Sequence, residues 1–273
     1  MPATQRNSTK ELSTKTLNWR PKNTNGLLFR LAPLFLLVLL WQLGSRIAAT
    51  DTLPAPLAVL SVVGAEARTG VLFVNLAITL ARVAASFVLA MVLGTALGVA
   101  MGRNKTVDRL CDPLLIVLLN LPALVVIVLA YIWVGLNEVA AIAAVVLNKL
   151  PNTAVTLREG TRALDEGLDE MARVFNLPLG AKVRHVALPQ LAPYLAAAMR
   201  SGLSLVWKIV LVVELLGRSN GVGFEIGIAF QLFDVTRLLA YALPFVGLML
   251  IIETFIVQPV ERHVSRWRPP HGA

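Results

Sequence analysis

Four ionisable residues, Lys149, Lys208, Glu214 and Glu253, stand inside long apolar runs of the chain, where a charge is costly unless it meets a partner or a water-filled cavity. Two roles are open to them. They can neutralise one another between helices, for instance Lys149 with Glu253, or a lysine can line a polar path and draw an anion. Lys208 and Glu214 are six residues apart, hence about 240° apart around a helix, so they form no pair on one helix and their partners lie elsewhere. Catalytic chemistry has little to work with. His185, His263 and His271 are scattered, Cys111 is the only cysteine and leaves no intrachain disulfide, and no His, Cys or acidic constellation points to a catalytic or a metal site. A further charged region is more compact: the stretch 169–189, "DEMARVFNLPLGAKVRHVALP", carries six ionisable residues in twenty-one between apolar flanks.

The elements that position these groups follow from composition. Of 273 residues, 56% are hydrophobic and 15% charged, and the mean hydropathy is +0.71, well above an ordinary soluble domain. A helix needs about 20 apolar residues to cross roughly 30 Å of hydrocarbon. Six runs qualify: 27–49, 82–102, 113–136 with a kink expected at Pro122, 139–157, 194–217 and 238–260. The expected fold is therefore an all-α membrane protein of about six transmembrane helices forming one domain over 27–260, flanked by basic tails at 1–26 and 261–273. Lysine and arginine collect in both tails (Arg6, Lys10, Lys15, Arg20 and Lys22; Arg262, Arg266 and Arg268), which places both termini in the cytoplasm. The first run of charge reads as an orienting tail rather than a cleavable leader. Membrane lipid is an expected neighbour and nucleic acid is not. No G-x-x-x-x-G-K-[ST] loop occurs, so ATP-driven work would need another subunit.

Gly94, Gly98 and Gly102 are four apart and share one helical face, the spacing at which two membrane helices approach closely. In the charged region, Asp165 can cap a helix over 166–175 whose apolar residues share a face with Leu164, and Asn176, Leu177 and Pro178 end it. A second short helix is expected from near Gly180 until Pro189 stops it. Two amphipathic helices at an angle make a rigid knob on the cytoplasmic side, over about 158–189, between spans four and five. It could lie on lipid headgroups; its mixed charge suits a protein socket better.

Glu170-Met171-Ala172, three residues, Asn176, nine residues, then Val186-Ala187-Leu188-Pro189 resembles the E-A-A-x3-G-x9-I-x-L-P signature of ABC importer permeases, with methionine, asparagine and valine as departures. Asparagine tolerates a positive φ next best after glycine, so Asn176 can still make the turn. The likeness runs from about Leu76 to Trp267 and is similar to the nitrate, taurine and alkanesulfonate branch in Trp207 with Glu214 seven later, and in Gly221-x-Gly223 after the fifth span. The resemblance implies a permease homodimer in the bacterial inner membrane that works by alternating access. Two cytoplasmic ABC ATPase subunits would carry ATP and Mg, with no cofactor on this chain, and an extracytoplasmic solute-binding protein would deliver a small anion such as nitrate, taurine or another sulfonate. It implies a coupling helix at the knob, with Glu170, Met171, Ala172, Asn176, Gly180, Val186, Leu188 and Pro189 as contact or turn positions. Gly221 and Gly223 would be candidates for an external gate or loop. The alternative is a secondary transporter or channel that does not use ATP, for which internally symmetric halves would be expected and none is visible.

Overall fold

The computed structural model describes residues 26–48, 50 and 52–259, and every regular element among them is helical. The basic tails, with the lysines and arginines expected to orient the chain and with His263 and His271, lie outside the described residues.

Helix α1 (Gly26–Ala48) reaches a turn held by Trp41, whose indole N–H donates to the Pro54 carbonyl at 2.9 Å. Helix α2 (Pro56–Thr69) starts on a proline at its first position and ends on Gly70 in the left-handed conformation. Helix α3 (Val71–Arg103) has 33 residues, about 50 Å of helix, well beyond the thickness of a bilayer core. The second apolar run is thus the latter part of a longer helix. Arg82, its first residue, lies inside α3 and is buried.

The third run is broken rather than kinked. Helix α4 (Lys105–Asn120) and helix α5 (Ala123–Val134) meet at 103°. Leu121, just before Pro122, is extended at φ −74° and ψ 126°, because a proline ring disfavours helical backbone at the residue before it. Helix α6 (Glu138–Arg162) then returns parallel to α3. Among the described residues four helices are long and apolar enough to cross a membrane, and a fifth crossing results if α4 and α5 count as one. The described part of the first run gives a shorter apolar helix over Phe35–Ala48.

Helix α7 (Glu166–Val174) and the turn after it lead into α8 (Leu179–Lys182), a π turn (Val183–Ala187) and α9 (Leu188–Gly217). Pro189 does not stop the second short helix. Leu179–Gly217 is one helical body of 39 residues. A proline inside a helix lacks an N–H and its ring crowds the carbonyl four residues back; the π turn widens the coil there, with the Leu188 N–H bonding to the Val183 carbonyl five residues earlier. Helices α10 (Val222–Gln231) and α11 (Val235–Ile252) follow, and α11 continues into a π turn over Glu253–Val257.

Gly94, Gly98 and Gly102 lie along α6. A Cβ on Gly98 would stand 2.4 Å from the Ala154 carbonyl oxygen, and Cβ atoms on Gly94 and Gly102 would meet Thr153 and Thr161 at 2.6 and 2.5 Å. Only backbones without side chains come this close. Helix α9 crosses antiparallel to both, and Val83, Val145, Val206, Val210 and Val213 fill the core among the three.

Candidate functional site

At one end of the bundle stands the knob. The Asp165 carboxylate accepts from the N–H groups of Gly167 and Leu168 and so caps α7, while its own N–H donates to the Gln190 side chain at 2.9 Å. Ala172 is buried at 1% exposure, and the Leu177 N–H donates to its carbonyl at 3.0 Å, closing the end of the helix. Asn176 has φ +49°, a conformation in which asparagine is one of the few side chains at ease. Lys182 on α8 reaches Asp169 on α7 at 2.6 Å, and Arg173 reaches the same carboxylate at 2.8 Å. The Lys182 ammonium, and secondly Arg173, hold the Asp169 carboxyl below the usual carboxylate range.

This clasp fixes the angle between α7 and the body of α9. It leaves Val174, Phe175 and Leu179 exposed at 76, 72 and 82%, and Glu170, Met171 and Gly180 are exposed beside them. Val186 is buried under the knob; Leu188 and Pro189 are exposed on the outgoing helix. The expected contact residues therefore divide. Glu170, Met171 and Gly180 face outward, and Ala172, Asn176 and Val186 shape the turn.

The opposite end is closed by charge. Arg82 donates from Nε and Nη2 to both carboxylate oxygens of Glu138 at 2.8 and 2.6 Å, from Nη1 to Glu214 at 2.6 Å and to the Asn220 carbonyl at 2.9 Å, and from Nη2 to the Asn220 side-chain oxygen. Glu214, 0% exposed, accepts on its other oxygen from Thr79 at 2.9 Å and from the Gly223 N–H at 2.8 Å. Arg218 reaches Glu138 at 2.6 Å and the Leu136 carbonyl at 2.9 Å. Asn75 accepts the Gly221 N–H at 2.9 Å. A Cβ on Gly221, which has φ +105°, would stand 2.5 Å from the Glu214 carboxylate, and one on Gly223 would stand 2.3 Å from the Leu211 carbonyl. The two glycines thus wrap the loop around a buried carboxylate.

Glu214 is paired to another helix, and its partner is Arg82. In the sequence Arg82 stands at the border of an apolar run and Glu138 just before another, where hydropathy gives neither a role. The other three groups are not brought to this cluster. Lys208 is exposed, with its ammonium 5.5 Å from the centre of the Trp207 ring. Glu253 is half-buried and Lys149 is 1% exposed; neither has an ion pair among the described residues, so Lys149 and Glu253 do not neutralise each other. A second ionic cluster, Arg158 with Asp108 and Asp112 and Arg162 with Asp108, ties α4 to the knob end of α6. No group of three metal-ligating side chains is present among the described residues.

Residues 90–266, more than half of the chain, match the family described as binding-protein-dependent transport system inner membrane component. The chain belongs to this family. It is thus an ABC transporter permease subunit, a multi-pass membrane component of a transport system. Among its relatives is a protein of Escherichia coli provisionally named aliphatic sulfonates transport permease protein SsuC, 34% identical over 249 residues, covering 89% of this chain and 94% of that one. The bicarbonate transport system permease protein CmpB of Synechococcus elongatus is 26% identical over 270 residues, covering 93% and 94%. The fold of the permease is shared with a chain of the MetNI methionine ABC transporter in an inward-facing conformation, at a TM-score of 0.61 and 21% identity, covering 73% of this chain and 98% of that chain.

Proposed function

We propose that the permease forms the solute path of an ATP-driven importer and takes its motion from a separate ATPase subunit through the knob. One observation carries the reading. The clasped knob ends in an exposed apolar tip and is continuous with the 39-residue body Leu179–Gly217, so a displacement of the tip is a displacement of a membrane-crossing helix. An apolar tip beside Glu170 suits a socket on a protein better than headgroups. ATP and Mg would be held by the ATPase, two permease copies would flank the path, and a solute-binding protein would load it from outside. Both termini would lie in the cytoplasm of a bacterial cell, behind its inner membrane.

Helix α9 leaves Ala197, Ser201, Ser204 and Lys208 exposed along one stripe. A polar, cationic stripe on a crossing helix is costly against lipid, so it would face the path between the two copies and favour a small anion such as a sulfonate, nitrate or bicarbonate. Relatives named for sulfonate and bicarbonate transport agree with an anionic solute. The test is reconstitution of the permease with the candidate ATPase and binding protein in vesicles. ATP-dependent uptake that disappears with Glu170→Lys, while the variant still inserts, supports the reading; uptake without ATP or ATPase contradicts it.

A further inference from the structure

Lys149 is the twelfth of 25 residues in α6, close to the midpoint of a crossing helix, and its ammonium meets no carboxylate among the described residues. The fold nevertheless makes room for it. A Cβ on Gly202 would stand 2.3 Å from the Lys149 Cε, 2.9 Å from its Nζ and 3.3 Å from the Phe87 ring, so glycine at 202 keeps a slot open between α6 and α9. Phe87 is also a wall of a groove of about 540 Å³ between α3 and α9, lined with Val88, Met91, Leu195 and Met199 and almost wholly apolar. Leu195, Met199 and Gly202 are successive positions on one stripe of α9. Neither Lys149 nor Gly202 lines the groove itself; Phe87 borders both the groove and the slot, so a turn of its ring would join the two.

A buried ammonium without a counter-ion is among the most costly features a membrane helix can carry, and an anion seated on it removes much of that cost. We propose that Lys149 and the Phe87–Met199 groove form an anion site at mid-membrane depth, taking a solute with one anionic head and a short apolar tail. The head would lie at the Lys149 Nζ and the tail against Phe87, Met91, Leu195 and Met199. A lipid is the less fitting occupant, because its headgroup belongs at the membrane surface and Lys149 lies about 17 Å and about 20 Å of helix from the two ends of α6, each more than half of a hydrocarbon core. The site deepens, and rests on, the reading of the chain as an anion importer.

The test uses the full chain with its ATPase in nanodiscs of phosphatidylcholine, titrated with hexanesulfonate, with methanesulfonate as head alone and hexanol as tail alone. Hexanesulfonate is expected to bind more tightly than either part, to weaken at least about tenfold in Lys149→Met, and to recover in part in Lys149→Arg. Met199→Trp, which fills the groove, should weaken hexanesulfonate and leave methanesulfonate unchanged. Lys149→Met removes a buried charge at similar length, so the variant is expected to fold and to keep its ATPase. Equal hexanesulfonate binding by the wild type and Lys149→Met, with the ATPase retained by both, overturns the site and leaves the importer reading intact. Loss of the ATPase from the wild type itself bears on the importer reading instead. If phosphatidylglycerol is retained in a Lys149-dependent manner and hexanesulfonate does not bind, the occupant is a lipid and the proposal fails.

Discussion

The two ends of the permease are built by opposite rules. At the end around Glu214, buried charge is matched: Arg82, Thr79 and the Gly223 N–H leave neither carboxylate oxygen of Glu214 without a donor, Glu138 and Asn220 accept the remaining Arg82 N–H groups, and Arg218 joins Glu138, so that the helices α3, α6 and α9 are pinned to the 217–222 loop. At the knob end one carboxylate, Asp169, holds two short helices at an angle, and the apolar tip beyond it is left uncovered. A network of paired ions built around the buried Arg82–Glu214 pair resists rearrangement, since breaking that pair strands a buried charge. An exposed apolar tip on a continuous helix is suited to being moved by something that covers it. The first end reads as a fixed point and the second as a handle.

The comparison breaks most visibly at the fixed end. Arg82→Met should destabilise the permease by about 3–5 kcal/mol by leaving the buried Glu214 charge unpaired, seen as a lower melting temperature in detergent and poor recovery; an unchanged melting temperature would show that the network is not structural. Next comes the seam between the ends. Gly98→Val forces a side chain against the Ala154 carbonyl and should cost about 1–3 kcal/mol, whereas Gly247→Ala, with open space around it, should leave melting unchanged. At the handle the expectation reverses. Lys182→Met should leave melting unmoved but reduce the stimulation of ATPase turnover by loaded binding protein, because α7 loses its angle to α9. Coupling that survives Lys182→Met intact would show that the clasp does not set the lever.

The smallest effect is in pH. Because Lys182 depresses the Asp169 carboxyl, the clasp is fully formed above the ordinary carboxylate pKa of about 3.9 and is lost only as pH falls through the lower folded value. ATPase retention between pH 5 and pH 8 should therefore not change through this pair, and a loss centred near pH 6 would point to another group.

How much of this was legible in the sequence depends on how far apart the interacting residues are. The turn at Asn176, the cap at Asp165 and the shared face of Gly94, Gly98 and Gly102 are local or periodic, and each can be read within about a dozen residues. The role of Arg82 cannot, because its partners Glu138 and Glu214 are 56 and 132 residues away and hydropathy alone treats an arginine as the edge of a span. Pro189 misleads for a different reason: a proline ends an α-helix unless the turn before it is widened, and nothing in the stretch 183–187 announces a π turn. Helices α2 and α10 fall in connections too short and mixed to register as spans. Lys149 stands out in the sequence, but that it meets no carboxylate among the described residues, and that Gly202 leaves it a slot, comes only from packing.

The central claim is that the knob is the handle by which an ATPase moves the permease, and it is tested most directly by capturing the ATPase on three tagged knob variants in detergent. The account predicts that Asn176→Gly captures the ATPase as the wild type does, since glycine takes φ +49° without strain, while Asn176→Val and Glu170→Lys insert normally but capture it at least about tenfold less, from a β-branched side chain forced out of that conformation and a reversed charge beside the tip. Full capture by both Asn176→Val and Glu170→Lys, with undiminished uptake in vesicles, would contradict it and leave the segment a surface hairpin.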